Sequence, residues 1–196
     1  STDEPKAGMS EHRSLVRLVG RPSFMPLSAT TRFLHVSPLG FDASTLEVWG
    51  PLCHGGAVVV CDDALQTGAR IAALIERHGA NAAWLTAALF NTIVDEDAGA
   101  LRGLGHILTG GEALSAVHVR RAQAALPDAQ FINGYGPTEC TTFALTHAIA
   151  PLGADATAVP IGRPIADTQL AIVVSAADPA GPADPAGPAD SADPAA

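Results

Sequence analysis

Asn133-Gly134-Tyr135-Gly136-Pro137-Thr138-Glu139 is the stretch on which the reading of this chain turns. Gly134 and Gly136 let the backbone bend sharply or lie close to a flat ligand. Tyr135 between them offers a planar face for stacking. Pro137 stiffens the exit and ends the preceding strand. Thr138 and Glu139 then supply a hydroxyl and a carboxylate, the oxygen ligands that a magnesium–phosphate group takes. The same seven residues also read as a polar turn after a strand, with Glu139 as a solvated cap.

Working outward, Gln130-Phe131-Ile132 is a short apolar strand feeding that motif, and the pattern upstream alternates. Arg32 to Ser37, Ala57 to Cys61, Ala82 to Leu85 and Gly105 to Leu108 read as short buried strands. His35 reads as a core histidine rather than a ligand. Helical spacing covers Thr45 to Leu52 (Leu46, Trp49, Leu52), Thr67 to His78 (Ile71, Leu74, Ile75, His78), the segment after Thr86 (Leu89, Phe90, Ile93, Val94) and Ser115 to Leu126. Ser14 to Val19 also starts as a helix. Either Asp42 or Ser44 fits as the cap of the helix beginning near Thr45; Asp42 alternatively reads as a carboxylate at a pocket floor, placed to meet a ligand ammonium. Downstream, Thr141 to Ile149 and Gln169 to Val174 read as strands, with a turn at Ile161-Gly162-Arg163-Pro164.

Alternating strands and helices with short connections predict an α/β fold, a mostly parallel sheet with helices on both faces. Thr109-Gly110-Gly111-Glu112 then sits at the carboxyl end of a strand, where such sheets bind ligands. Residues 1–175 form the folded part. Residues 176–196 repeat Ala, Asp, Pro and Gly without larger aliphatics, so they predict a disordered tail or linker.

The 196 residues are 47% hydrophobic, enough for one sizeable core or part of a larger one. A formal net charge of −9 argues against nucleic acid or an anionic membrane as partner. Cys53, Cys61 and Cys140 are too few and too scattered for a disulfide framework, and buried free thiols in a reducing cytosol are expected. No apolar run is long enough for a transmembrane helix. Neither Gly-x-Gly-x-x-Gly after a strand nor Gly-x-x-x-x-Gly-Lys-Ser/Thr is present, which argues against the common nucleotide-binding folds.

Four segments together carry a resemblance: Phe41-Asp42-Ala43-Ser44-Thr45-Leu46-Glu47-Val48-Trp49-Gly50, Leu108 to Glu112, Asn133 to Glu139, and Pro160 to Thr168. In order and spacing they resemble the adenylate-forming, AMP-binding superfamily, and specifically the adenylation domains of nonribosomal peptide synthetases. The resemblance runs from residue 1 to about residue 174. It implies the middle of the large N-terminal subdomain of such an enzyme. Ser1-Thr2-Asp3-Glu4-Pro5-Lys6-Ala7 resembles the end of that family's phosphate loop, with Asp3 where the family has glycine. The family's Tyr-x-Thr-Gly-Asp motif and its lysine-bearing C-terminal subdomain are not found in this sequence.

The resemblance implies a cytoplasmic ligase that uses ATP and Mg2+ to convert an amino acid to its aminoacyl-AMP. The acyl group then passes to the phosphopantetheine thiol of a peptidyl carrier protein within a multidomain synthetase. Carried over position by position, Glu139 ligates magnesium, Thr138 contacts phosphate and Lys6 lies near the phosphates. Tyr135 stacks on adenine and Asn133 bonds its amino group, with Gly111, Glu112 and Gly136 along the same slot. Asp42 pairs with the substrate ammonium. Ala43, Leu46, Trp84, Leu108, Gly110, Gly134, Thr142 and Phe143 complete a small uncharged pocket resembling those of valine-activating domains, with isoleucine or leucine next. The alternative is a chain that retains the amino-acid pocket but does not turn over ATP.

Overall fold

The computed structural model describes residues 8–62 and 66–173. Lys6, Asp3 and the tail from Ala176 lie outside the described residues. Five helices and seven strands alternate: α1 (His12–Val19), β1 (Arg32–His35), α2 (Ala43–Leu52), β2 (Ala57–Val60), α3 (Gly68–His78), β3 (Ala82–Thr86), α4 (Ala87–Asp97), β4 (His106–Gly110), α5 (Ala116–Ala125), β5 (Gln130–Tyr135), β6 (Leu145–Ile149) and β7 (Arg163–Pro164). The strands form a single sheet in the order β2-β1-β3-β4-β5-β6-β7. The first five run parallel, and β6 and β7 add antiparallel at one edge. This is the expected mostly parallel α/β sheet.

The central strands β3, β4 and β5 are buried on both faces, and their side chains divide between the faces with a period of two. Leu34, Ala83, Leu85, Ile107 and Phe131 join one core with Ile71 and Ile75 of α3, Phe90 and Ile93 of α4 and Val119 of α5. Their neighbours Phe33, Ala82, Trp84, Leu108 and Ile132 join a second core with Leu18 of α1 and Leu46 of α2. Thr67, Thr86 and Ser115 cap α3, α4 and α5 through their hydroxyls.

The structure corrects several sequence expectations. The buried face of α2 is Ala43, Leu46, Glu47, Gly50 and Pro51, while Trp49 and Leu52 are about half exposed. A spacing of three drifts around a helix of 3.6 residues per turn, so Leu46, Trp49 and Leu52 do not share a face. His78 is exposed at the end of α3. Strand β6 begins only at Leu145, because Thr141 and Thr142 take positive φ. The segment 169–173 is irregular, with Ile172 and Val173 exposed. It finds no partner strand among the described residues, since Arg163–Pro164 takes the edge position beside β6 instead of remaining a turn. Cys53 is exposed, and Cys61 and Cys140 are only partly buried, so none of the three is the buried thiol expected. No helix among the described residues is long and apolar enough to cross a membrane.

Candidate active site

The sheet changes winding direction between β1 and β3. The β1–α2–β2 unit grows one way, and α3 then returns the chain past β1 to begin β3. Those two strands pair only at Phe33–Ala82 and Leu34–Ala83. Beyond their carboxyl ends a crevice opens, as expected where strand order reverses. It holds a cavity of about 700 Å³ lined in part by Ser37 after β1, Asp42 and Ala43 at the start of α2, Trp84 and Thr86 of β3, and Gly134 of β5. Gly111, Gly136, Thr138 and Thr142 also face it. Asp42 is the only ionisable group among the described lining residues.

Asp42 does not cap α2. Its backbone is already helical and its carboxylate makes no cap hydrogen bond. Oδ2 instead accepts the Thr142 N–H at 3.2 Å, and the Asp42 carbonyl accepts the Thr142 hydroxyl at 2.8 Å. Ser44 is no cap either: its hydroxyl donates back to the Phe41 carbonyl at 2.7 Å. Thr142 follows Thr141, and both have positive φ, 69° and 58°. For β-branched residues this conformation costs about 1–3 kcal/mol each. The strained pair is what delivers an amide and a hydroxyl to Asp42.

Trp84, 6% exposed, forms the cavity floor. Phe143 stacks against it, with ring centroids 5.6 Å apart at 30°, and Phe24 meets Phe143 edge-on at 5.0 Å. A Cβ at Gly134 would lie 2.7 Å from the Trp84 ring and 3.0 Å from Phe143, and one at Gly110 would lie 2.0 Å from the Gly134 carbonyl. The glycines are therefore the space into which the indole fits. Leu46, Leu108 and Phe143 are fully buried in the same core as Trp84. They hold the floor from behind and, like Gly110, do not line the cavity.

A second cavity of about 450 Å³ lies across the end of β5. Asn133, Tyr135, Glu112 and Leu114 line it, and it shares Gly111, Gly134, Gly136 and Pro137 with the first. The period of two explains the division. Gly134 faces one side of the sheet, and Asn133 and Tyr135 face the other. The motif is thus a strand end followed by a short turn, and it separates two hollows. Tyr135 is about half exposed, whereas Asn133 is buried with its Nδ2 donating to the Pro160 carbonyl at 2.9 Å. Glu139 is exposed in the short 3-10 turn Thr138–Cys140, one residue beyond the cavity wall.

Two features escaped the sequence reading. Glu47, fully buried in α2, holds the loop after β1. Its carboxylate accepts from His35 Nδ1 at 2.6 Å, the Val36 N–H at 3.2 Å, the Ser37 N–H at 3.1 Å and the Ser37 hydroxyl at 2.8 Å. Desolvation raises its pKa above the ordinary 4.5, opposed by the hydrogen bonds from His35 and Ser37. The spacing Ala43, Glu47, Gly50 places Glu47 on the inner face and would have revealed it. Arg17 of α1, far away in sequence, reaches the backbone beside Thr142; no local pattern signals that.

The profile of the AMP-binding enzyme family matches residues 1–187, so the chain belongs to that family. Within it, the chain aligns with adenylation domains of nonribosomal peptide synthetases. It is 36% identical over 174 residues to tyrocidine synthase 3 of Brevibacillus parabrevis, covering 88% of this chain and 3% of that protein. It is 38% identical over 174 residues to malpibaldin synthetase of Mortierella alpina, again covering 88% of this chain and 3% of that protein. Among solved structures, PA1221, an NRPS protein containing adenylation and PCP domains, is similar with a TM-score of 0.75 at 46% identity, over 79% of this chain and 31% of that chain. The N-terminal subdomain of Klebsiella oxytoca NpsA in complex with anthranilyl-AMSN gives a TM-score of 0.76 at 25% identity, over 85% and 43%. The chain therefore spans a small part of the curated relatives it matches.

Proposed function

We propose that this chain carries the amino-acid pocket and part of the nucleotide site of an amino-acid-activating adenylation domain. Asp42 supports the reading most strongly, as the one ionisable group among the described residues that line the cavity. Released from any capping role and held by Thr142, its carboxylate is placed to receive an α-ammonium. The second hollow across the strand end would take the nucleotide. Tyr135 would stack on adenine. Asn133, its amide N–H engaged by Pro160, keeps a carbonyl for the exocyclic amino group. Gly111, Glu112 and Gly136 would border the same slot.

The amino acid's carboxylate oxygen would attack the α-phosphorus of ATP. An O–P bond forms, the α–β bridging bond breaks, and pyrophosphate leaves. The carboxylate is already nucleophilic, so positioning and charge stabilisation carry the step. Glu139 would help to hold a magnesium ion bound to the triphosphate, which would supply charge neutralisation at the phosphates. Among the described residues no cluster of three or more His, Cys, Asp or Glu is placed to hold a metal. A lone exposed Glu139 fits an ion that comes with substrate phosphates, since such magnesium needs only one or two protein carboxylates. Thr138 would contact phosphate, and Lys6 would lie near it.

The side chain of the substrate would rest on Trp84, with Ala43, Gly134 and Thr142 around it and Leu46, Leu108, Gly110 and Phe143 behind. A charged side chain would be left unpaired there. L-Valine is the proposed substrate, with isoleucine or leucine cross-activated, because one methylene is worth only about 1–3 kcal/mol. Transfer of the acyl group to a phosphopantetheine thiol on a peptidyl carrier protein would follow. The test is L-valine-dependent exchange of pyrophosphate into ATP by the full-length protein, run across twenty amino acids. Exchange that peaks at valine and is abolished by Glu139→Ala is expected. A preference for charged or aromatic side chains would overturn the pocket assignment. L-Valine binding without exchange would favour the pocket-only reading.

A further inference from the structure

We propose that Arg17 is a positioning residue for the amino-acid pocket, acting through the strained Thr141–Thr142 segment. The inference rests on the assignment of Asp42 to the substrate ammonium. Arg17 lies in α1, whose last residues, Leu18 and Val19, are fixed in the core that contains Trp84 and Phe143. Its guanidinium leaves the helix and spans the bend that follows the Thr138–Cys140 turn. One terminal nitrogen donates to the carbonyls of Cys140 at 2.5 Å and Phe143 at 3.2 Å, with Thr141 at 3.4 Å; the other donates to the Thr168 hydroxyl at 2.7 Å.

Three consecutive features make this more than a surface bond. The backbone at Thr141 and Thr142 is in a conformation that threonine does not take unaided, so something outside the segment must hold it. Turning two residues to positive φ directs neighbouring carbonyls to one side, where one terminal nitrogen of the guanidinium gathers those of Cys140, Thr141 and Phe143 while the other is anchored on Thr168. The Thr142 N–H and hydroxyl are thereby presented to Asp42 on the other side. Arg17 touches neither cavity, but it fixes the group that fixes the Asp42 carboxylate. Lysine has one nitrogen, which could serve the carbonyls but could not also hold the Thr168 hydroxyl.

Two measurements on the full-length protein test this. The first is hydrogen exchange of the Thr142 amide, which reads the contact to Asp42 without any ligand. The second is calorimetric affinity for L-valine and, separately, for ATP. Arg17→Ala is expected to speed Thr142 exchange relative to the α3 and α4 amides. It should weaken L-valine about 10- to 100-fold, the worth of a charge-assisted hydrogen bond set, while ATP changes by no more than about threefold. Arg17→Lys should recover part of the L-valine affinity. Thr168→Val, which removes only the outer anchor, is the milder variant should Arg17→Ala not fold, and it should shift both readouts in the same direction by less. Unchanged Thr142 exchange in Arg17→Ala, or an equal loss of L-valine and ATP affinity, would overturn the positioning role. Faster Thr142 exchange in a protein whose wild type does not bind L-valine would overturn the pocket assignment, and with it the role in substrate binding, while leaving the Arg17 clamp as a structural fact.

Discussion

Replacing Glu47 separates acceptor geometry from charge. Its two oxygens accept from four donors, two of them the backbone N–H groups of Val36 and Ser37 that start the cavity wall. Glu47→Ala leaves those donors without an acceptor in a site from which water is excluded. Unsatisfied buried donors cost about 1–3 kcal/mol each, so a loss of about 3–5 kcal/mol is expected. Glu47→Gln is different. If the amide nitrogen takes the Oε1 side, the rotatable Ser37 hydroxyl can accept from it. The Oε2 side, which serves His35 and the Val36 and Ser37 amides, keeps its oxygen. A cost near 1 kcal/mol is then expected. Urea titration of wild type and both variants at neutral pH gives the comparison. The pH dependence supplies a second check. A carboxyl whose folded pKa is raised contributes stability that is fully present below its unfolded value and is lost as pH rises through the folded value. The stability gap between wild type and Glu47→Gln should therefore be widest at acid pH and shrink as pH climbs above the ordinary 4.5. Glu47→Gln as damaging as Glu47→Ala, or a gap that widens with rising pH, would refute this reasoning.

Gly134→Ala drives a methyl to 2.7 Å from the Trp84 ring, so it should cost about 1–3 kcal/mol and alter the indole's fluorescence; Gly134→Ala with Trp84→Leu should recover stability, which thermal unfolding reads. Asp42→Asn keeps the shape but removes the charge, and should raise the KM for L-valine about 10- to 100-fold in pyrophosphate exchange with little change in the KM for ATP. Asp95, whose pKa is lowered first by His118 and then by Arg121, contributes stability present above the ordinary 3.8 and lost as pH falls through the depressed value. Acid unfolding of Asp95→Asn should consequently lack the lowest-pH part of the transition, and because the site is exposed, high salt should erase the difference. A wild-type–variant difference at low pH that survives 1 M salt would contradict the exposed ion-pair picture.

How much was legible in the sequence varied with the range of the forces involved. Buried strands such as Ala82–Thr86 and Gln130–Tyr135 announced themselves as short apolar runs, and Thr86 stood ahead of the helix that it caps. The family motifs located both hollows. What failed was local pattern where tertiary context decides. Thr141-Thr142 has strand propensity, yet Arg17 and Asp42 hold it outside the extended region. Trp49 and Leu52 look like core residues, yet Glu47 takes the inner face because four donors await it. Gln169–Val174 has the composition of a strand and lacks, among the described residues, a neighbour to pair with. Leu46, Leu108 and Phe143 were read as pocket walls because alignment reports position along the chain, not depth beneath an indole.

The fit of one indole over two glycines bears on attempts to change the repertoire of this chain. Trp84 occupies the room that a side chain at 134 would need, and the Gly134 carbonyl closes the room at 110, so neither glycine can be enlarged alone. Enlarging the hollow is a one-step change, trimming the ring. Narrowing it by adding a methyl at position 134 is blocked while the ring stays, and at position 110 the Gly134 backbone carbonyl blocks it whatever the ring does. A library that varies single sites will therefore drift toward bulkier guests and will miss the smaller ones.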